Sequence, residues 1–220
     1  MGISKRTIWA AVGTIILGIA IFAFYLFGGF ELFSDDEGII QKEKKVKSFT
    51  QFSNLFQYAP LPYSVDLANI GFLHPKSKAI DTNLVKEFME LSRYTAQDYN
   101  KLSDFSYFPV AKVNIHANYL AFIILKTPNN DKFIQKYFLR IFDYQGTLRS
   151  QMQIAEFIGD TKFMNAREAV ISNNYKMTIS DKGVLFSEKC DSISSIFTTG
   201  VKDYKISSDG NIDVLTSAAK

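Results

Sequence analysis

Cysteine, histidine and proline are all scarce in this 220-residue chain, which has one cysteine, two histidines and five prolines. A single cysteine excludes an intramolecular disulfide framework and any multi-cysteine metal site. Two histidines leave little material for a histidine-based metal centre. The low content of glycine and proline excludes collagen-like and proline-rich chains. With 47% hydrophobic and 15% aromatic residues, the chain is expected to fold rather than to be mainly disordered.

A large excess of one charge is also missing. The 25 lysines and arginines nearly balance the 22 aspartates and glutamates, which leaves a formal net charge of +3. A nucleic-acid-binding protein usually carries a clear basic excess or a basic stripe. The one basic cluster is short and is interrupted by Glu43; its members are Lys42, Lys44, Lys45 and Lys47. We therefore expect no nucleic-acid partner.

The sequence also lacks the common signatures of catalysis. It contains no G-x-S-x-G, G-x-G-x-x-G or G-x-x-x-x-G-K-[ST] string. His116 follows Val113 and Ile115 in an alternating run, which predicts a histidine on the outer face of a strand. His74 precedes a proline, and Cys190 has neither histidine near it in the sequence. We expect no catalytic residue, no cofactor and no metal ion.

The longest uncharged run of the chain lies near its amino terminus. Residues 7–30 contain no charged side chain, and as a helix they would cross a hydrocarbon core of about 30 Å. A cleaved signal peptide is the competing interpretation, but its apolar region is usually shorter and ends in a small-x-small site. This run instead ends in bulky residues such as Phe24 and Phe27. We predict a retained transmembrane signal anchor, in contact with membrane lipid, at residues 7–30.

The charges that flank the anchor predict its orientation. Lys5 and Arg6 precede it, whereas acidic residues such as Asp35 and Asp36 follow it. Positive residues stay on the cytoplasmic side. Residues 1–6 are therefore expected to be a short cytoplasmic tail, and the rest of the chain should lie outside the cytoplasm. The predicted location is the cell membrane, with the carboxy-terminal domain in the periplasm if the cell is Gram-negative.

Beyond the anchor, residues 31–41 predict a polar spacer, and residues 42–220 predict an extracytoplasmic α+β domain. The domain begins with an apolar stripe at helical spacing, and a helix of this kind can dock lipid or a partner or can pack on its own domain. The stripe includes three aromatic residues that form the candidate interaction surface: Phe49, Phe52 and Phe56.

The rest of the domain predicts one further helix and then strands. Asp81 is a candidate amino-terminal cap for a helix whose buried face would be Leu84, Val85, Phe88 and Leu91. Tyr63–Leu67 is a candidate for a short strand. The later predicted strands are Lys112–His116, Tyr119–Lys126, Lys136–Asp143, Thr147–Ala155, Tyr175–Ser180, Val184–Lys189, Ser194–Thr199, Val201–Ser207 and Asn211–Thr216. The predicted fold class is therefore α+β: an amino-terminal transmembrane helix, one or two helices, then an antiparallel β-meander of about six to eight strands.

Three of the predicted hairpin turns share an aspartate and a glycine. Their glycines are Gly146, Gly183 and Gly210, each placed where a reversal of the chain would need a positive φ. We interpret this echo as shared turn chemistry rather than as a true internal repeat.

The order of these parts resembles small envelope-anchored β-domains of unknown function found in bacteria. The resemblance covers roughly residues 55–216. It is carried by the amino-terminal anchor, Leu61-Pro62, the helix VKEFMEL at Val85–Leu91, the paired hairpins, and a closing Y-x-I-x-x-D-G-x-I at Tyr204–Ile212. It implies a place in the bacterial envelope, but it implies no activity and no catalytic residue.

Three classes of function compete at this point. The expected one is a non-enzymatic binding or structural component of the cell envelope that contacts a protein partner there. The alternative is an inhibitor or immunity-type protein that neutralises a partner in the same compartment. An enzyme is the third class, and it would need a deep pocket lined by convergent polar groups.

Overall fold

In a computed structural model of the chain, the described residues are 31–66, 77–89, 104–131, 134–159, 162–186 and 193–215. The chain divides into two units, Met1–Lys47 and Ser48–Lys220. The helices within the described residues are α1 (Glu31–Asn54) and α2 (Thr82–Phe88). The strands are β1 (Tyr63–Val65), β2 (Phe105–Ile115), β3 (Tyr119–Pro128), β4 (Ile134–Asp143), β5 (Leu148–Gly159), β6 (Phe163–Ile171), β7 (Lys176–Phe186), β8 (Ile193–Ile206) and β9 (Ile212–Leu215).

The strands form one antiparallel sheet. Eight of them follow the chain in the order β2-β3-β4-β5-β6-β7-β8-β9, which is a meander. The short β1 pairs with the second half of β6, where Val65 lies opposite Ala169. The predicted α+β class with an antiparallel meander is therefore confirmed.

The first part of the chain differs from its prediction in one respect. The segment 31–41, predicted to be a spacer, has helical backbone and belongs to α1. The segment contains two glutamates, a leucine and a glutamine, and these residue types are good helix formers. The predicted anchor at residues 7–30 lies outside the described residues. Among the described helices, none combines the length and apolar character that a membrane crossing requires.

A cluster of phenylalanines packs both helices against the sheet. Phe52 of α1 lies 4.9 Å from the ring of Phe88 on α2 and 5.3 Å from that of Phe122 on β3, measured between centroids. We call this set the aromatic cluster; its members are Phe49, Phe52, Phe56, Phe88, Phe122 and Phe142. All six side chains are buried. Aromatic pairs of this kind stabilise beyond their buried area, so the cluster fixes which sheet face carries the helices.

The opposite face of the sheet covers a second, aliphatic core. β3 shows the division most clearly, because Phe122 and Ile124 join the aromatic cluster's side while Ile123 and Leu125 join the other core. The alternation of a strand sends successive side chains to opposite faces, so a strand covered on both faces reads as a continuous apolar run. The run in Tyr119–Lys126 was predicted to be a buried strand, and this prediction is confirmed.

Two cations of the sheet bind the carboxyl ends of the two helices. Lys112 of β2 donates from Nζ to the carbonyl oxygen of Ser53, 2.9 Å away, near the end of α1. Arg140 of β4 donates to the carbonyl oxygens of Phe88 and Met89, 3.0 and 2.9 Å away, at the end of α2. Helix carboxyl ends carry partial negative charge and unpaired carbonyls. Each cation therefore satisfies a helix end that packing has buried.

The first predicted hairpin turn and the last are confirmed. Gly146 has φ of +78° between β4 and β5, and Gly210 has φ of +83° between β8 and β9. Gly146 also lies against α1, since a Cβ built there would stand 2.7 Å from Cγ of Phe49. The turn therefore requires glycine both for its backbone conformation and for its contact with the aromatic cluster.

The predicted turn at Gly183 is wrong. β7 runs straight through it from Lys176 to Phe186. Here the aspartate and lysine that indicated a turn pair with β6: Asp181 with Arg167, and Lys182 with Glu168. The glycine has a packing role instead, because a Cβ there would lie 2.2 Å from Cζ of Phe197. The ring of Phe197, on the neighbouring strand β8, thus covers Gly183.

We expect Phe52→Ala to lower the free energy of unfolding by about 3–5 kcal/mol, because it opens a cavity in the centre of the aromatic cluster. Phe52 is 0% exposed. Leu55→Ala, three residues further along the chain at an exposed position, is the matched control and should change stability by less than about 0.5 kcal/mol. Chemical denaturation of the full chain measures both values. Equal effects of the two substitutions would contradict the packing described.

Candidate functional site

The two long edge strands of the sheet, β2 and β8, differ in how the described residues hydrogen-bond to their outer sides. β2 forms the first edge, and residues before it lie along its open side. Lys112 exchanges backbone hydrogen bonds with Gln57 and Ala59, both 2.9 Å long, and Tyr107 accepts one from Ile80 at 2.8 Å. Pro109, which has no N–H to donate, also lies in this strand. This edge is therefore covered.

The other edge belongs to β8. Along Ile193–Lys202 the described part of the chain supplies pairing from β7 alone. β9 begins to pair only at Asp203, opposite Leu215, so within the described residues the first ten residues of β8 have a paired strand on one side only. An edge of this kind presents a row of free backbone N–H and C=O groups that can pair with another strand. We call Ile193–Lys202 the open edge.

The open edge also carries apolar side chains that face water. Ile196 is 51% exposed, which leaves a β-branched side chain largely in solvent. Seven large hydrophobic side chains on β7–β9 are exposed: Leu185, Ile193, Ile196, Phe197, Val201, Val214 and Leu215. Scattered exposed apolar residues are ordinary, but a group of them on neighbouring strands typically marks an interaction site.

The open edge has a defined local geometry. Its ladder with β7 is interrupted twice, at Ser194 and at Thr199, each of which is an extra residue without a direct partner. Such bulges increase the local twist of a strand. Thr199 keeps a hydrogen bond of 3.2 Å from its Oγ1 to the carbonyl oxygen of Asp181. The strand between and beyond the bulges stays paired with β7, so the edge is a formed strand.

A row of charged residues crosses the sheet but does not form a reactive site. Directly paired positions on β3–β7 carry Lys126, Lys136, Glu156, Arg167 and Asp181 in that order. Lys136 contacts Glu156 at 3.0 Å, and Arg167 contacts Asp181 at 2.7 Å. Opposite charges on neighbouring strands stabilise pairing. The charges from Lys136 to Asp181 therefore pair with one another and align the strands, whereas Lys126 lies opposite the like charge of Lys136.

Two lysines of the helix-bearing face have lowered pKa values. Burial lowers the pKa of Lys112, whose Nζ lies 4.4 Å from the centre of the Tyr58 ring. Burial and the neighbouring Lys136 lower the pKa of Lys126, whose Nζ lies 3.9 Å from the centre of the Phe105 ring. Both ammonium groups have structural partners, a helix end and an aromatic ring, that account for their positions.

The predicted interaction surface is not exposed, which corrects the expectation of a docking face at Phe49, Phe52 and Phe56. Their rings are buried in the aromatic cluster, and none is more than 4% exposed. The alternative interpretation of the stripe, a helix that packs on its own domain, agrees with this placement. The physical reason is that both interpretations require the same helical spacing, and the sheet offered Phe122 and Phe142 as partners.

The remaining candidates do not converge on one place. His116 lies in the turn after β2 rather than on a strand face; its Nε2 is 3.1 Å from the carbonyl oxygen of Ile206, and its ring centre is 4.1 Å from that of Tyr175. It therefore links two turns. His74 and Cys190 lie outside the described residues. Within the described ranges, no group of three histidine, cysteine or acidic side chains could hold a metal ion.

The open edge was missed at the level of sequence, although a signal for it exists. Residues 193–201 read ISSIFTTGV and contain no charge. Natural edge strands usually carry a lysine, another charged residue or a proline, each of which opposes pairing with other chains. An uncharged strand near the end of a meander is therefore an indication of a pairing edge.

Comparison of the chain with known proteins finds no match to a family model, to a curated protein or to a solved structure.

Proposed function

We propose that this protein is a single-pass, membrane-anchored component of the bacterial cell envelope that binds a protein partner through its open edge. Its role is non-enzymatic: binding or structural. The observation that carries the proposal is the ten-residue edge of β8, uncharged from Ile193 to Val201 and paired on one side only in the described structure. The first edge of the same sheet is covered by its own chain.

Strand addition is the mode of recognition that this geometry supports. An extended segment that pairs with an open edge gains main-chain hydrogen bonds along its length, while the exposed side chains on either face select the sequence that fits. Ile196 and Val201 are available for such contacts because both are exposed. The edge offers no charged side chain between them, so the partner segment should also be apolar or uncharged.

The membrane location rests on the sequence. Residues 7–30 are uncharged, and Lys5 and Arg6 precede them. An anchor with this charge asymmetry places the sheet domain outside the cytoplasm. A partner of the open edge would then be an envelope protein, because it must meet the domain in that compartment.

We expect a photo-reactive amino acid at position 196 of the full chain, expressed in intact bacterial cells, to capture a protein partner. Position 170 on β6 is the matched control, since Val170 is apolar and 43% exposed but lies away from the open edge. Adducts from position 196 and not from position 170 support the proposal. Equal capture at both positions, or none at position 196, would contradict it.

The identity of the captured protein separates the two non-enzymatic roles. An adduct with an envelope component supports the proposal as stated. A tight one-to-one complex with a toxin would instead assign the chain to the inhibitor or immunity class. Mass spectrometry of the adduct distinguishes these outcomes.

The proposed topology has its own test. A reporter that is active only outside the cytoplasm, fused after Lys220, should be active in whole cells, because the anchor exports everything that follows it. The control is the same fusion with Ile16→Lys and Leu17→Lys, which place two charges in the centre of the apolar run and should abolish the signal. Activity of a cytoplasm-only reporter at Lys220 would contradict the topology.

A further inference from the structure

We propose that the strand that adds to the open edge is β8 of a second copy of this chain, paired antiparallel about a two-fold axis at Phe197. This inference rests on the proposed function, because it names the partner of the same edge. The result would be a continuous sheet shared by two copies, in which each open edge covers the other.

Charge is the first observation that favours a second copy. A two-fold axis brings each side chain near its equivalent, so a charged strand that pairs with itself tends to place like charges together, which is unfavourable. Residues 193–201 contain no charge, so pairing with themselves meets no such repulsion. The nearest charges on β7, Asp181 and Lys182, are already paired with Arg167 and Glu168.

The length of the edge restricts the register. β9 pairs from Asp203 onwards, so a second strand can use only residues up to Lys202. Directly paired residues of an antiparallel sheet point to the same face. A two-fold axis normal to the sheet keeps each face on its side. The axis must therefore pass beside a residue that pairs with the same residue of the second copy. Within Ile193–Lys202, only centres at Phe197 and Thr198 allow nine paired residues.

The side chains choose between these two registers. With the axis at Phe197, Ile193 lies opposite Val201 of the second copy, and Ser195 lies opposite Thr199. With the axis at Thr198, Lys202 would lie opposite Ser194, and Ile196 would lie opposite Gly200, whose lack of a side chain leaves it no partner. Apolar and hydroxyl pairs stabilise antiparallel strands. The first register therefore forms one apolar pair and one hydroxyl pair, and it leaves Lys202 outside the paired residues.

Local packing is compatible with this register. The ring of Phe197 lies over Gly183 of its own β7, so it leaves the backbone edge clear. The bulged residue Ser194 would face Gly200 of the second copy, which has no side chain to collide with it. The contact is isologous and uses the open edge of each copy, so the assembly closes as a dimer and does not extend into a fibre.

Disulfide trapping tests the register directly. In full-length chains in which the single cysteine is removed by Cys190→Ser, we co-express one tagged copy carrying Ile193→Cys with a differently tagged copy carrying Val201→Cys. Directly opposite residues have Cα atoms about 4.5–5.5 Å apart, within the range for a disulfide. Mild oxidation of membranes should therefore give a mixed disulfide between the two tagged copies.

The controls use the same geometry. Two copies of Ile193→Cys would hold their cysteines about 27 Å apart, so that variant alone should give no disulfide above background. Ile193→Cys with Val170→Cys on β6 should give none either. Equal cross-linking of all pairs, or no mixed disulfide between positions 193 and 201, would overturn the proposal.

A second measurement does not depend on cysteine. The full chain in mild detergent should have the mass of a dimer by light scattering, and Ile196→Lys should convert it to a monomer with an unchanged circular dichroism spectrum, because lysine on an edge opposes pairing. A monomeric parent chain would overturn the inference. If position 196 still captured a different envelope protein in cells, the second copy would be excluded while the proposed function stood.

Discussion

The aromatic cluster between the helices and the sheet is the interaction on which the rest of the structure depends. It holds the end of α1 and the whole of α2 on one face of β3 and β4. The cations of Lys112 and Arg140 then satisfy the carbonyls at the two helix ends. Because α1 ends there, the chain that follows it passes along β2 and hydrogen-bonds to that strand. Helix docking thus covers the first edge of the sheet.

Among the described residues, the edge of β8 has no such cover along Ile193–Lys202. β8 and β9 are the last strands of the meander, and the short β9 pairs only with the last residues of β8. Proteins usually protect both edge strands of a sheet from pairing, since an open edge strand pairs readily with other chains. Here one edge is hydrogen-bonded by its own chain, and the other is uncharged from Ile193 to Val201 and exposes Ile196, Phe197 and Val201. This asymmetry is what connects the fold with a binding role.

The sequence predicted the parts of the fold in which local pattern and tertiary contacts agree. One example is the Asp81 cap of α2, whose carboxylate accepts a hydrogen bond of 2.8 Å from the backbone N–H of Asn83. Another is the turn at Gly210. It missed β6 because the buried positions change phase within the strand: Met164 and Ala166 are buried before Arg167 and Glu168, and Ala169 and Ile171 after them. Two strands were predicted where β8 is one, since a glycine at position 200 resembles a break. The lack of charge from Ile193 to Val201 indicates an edge strand, but whether another strand covers that edge is decided by the topology of the sheet.

Hydrogen–deuterium exchange along β8 tests the central claim, that this edge is open in the single copy and becomes paired in the assembled protein. Full-length parent chain and Ile196→Lys are compared in the same membrane. The account predicts that amides of Ile193–Lys202 exchange more slowly in the parent than in Ile196→Lys, while those of β2 exchange equally in both. Equal exchange of Ile193–Lys202 in the two proteins would contradict it.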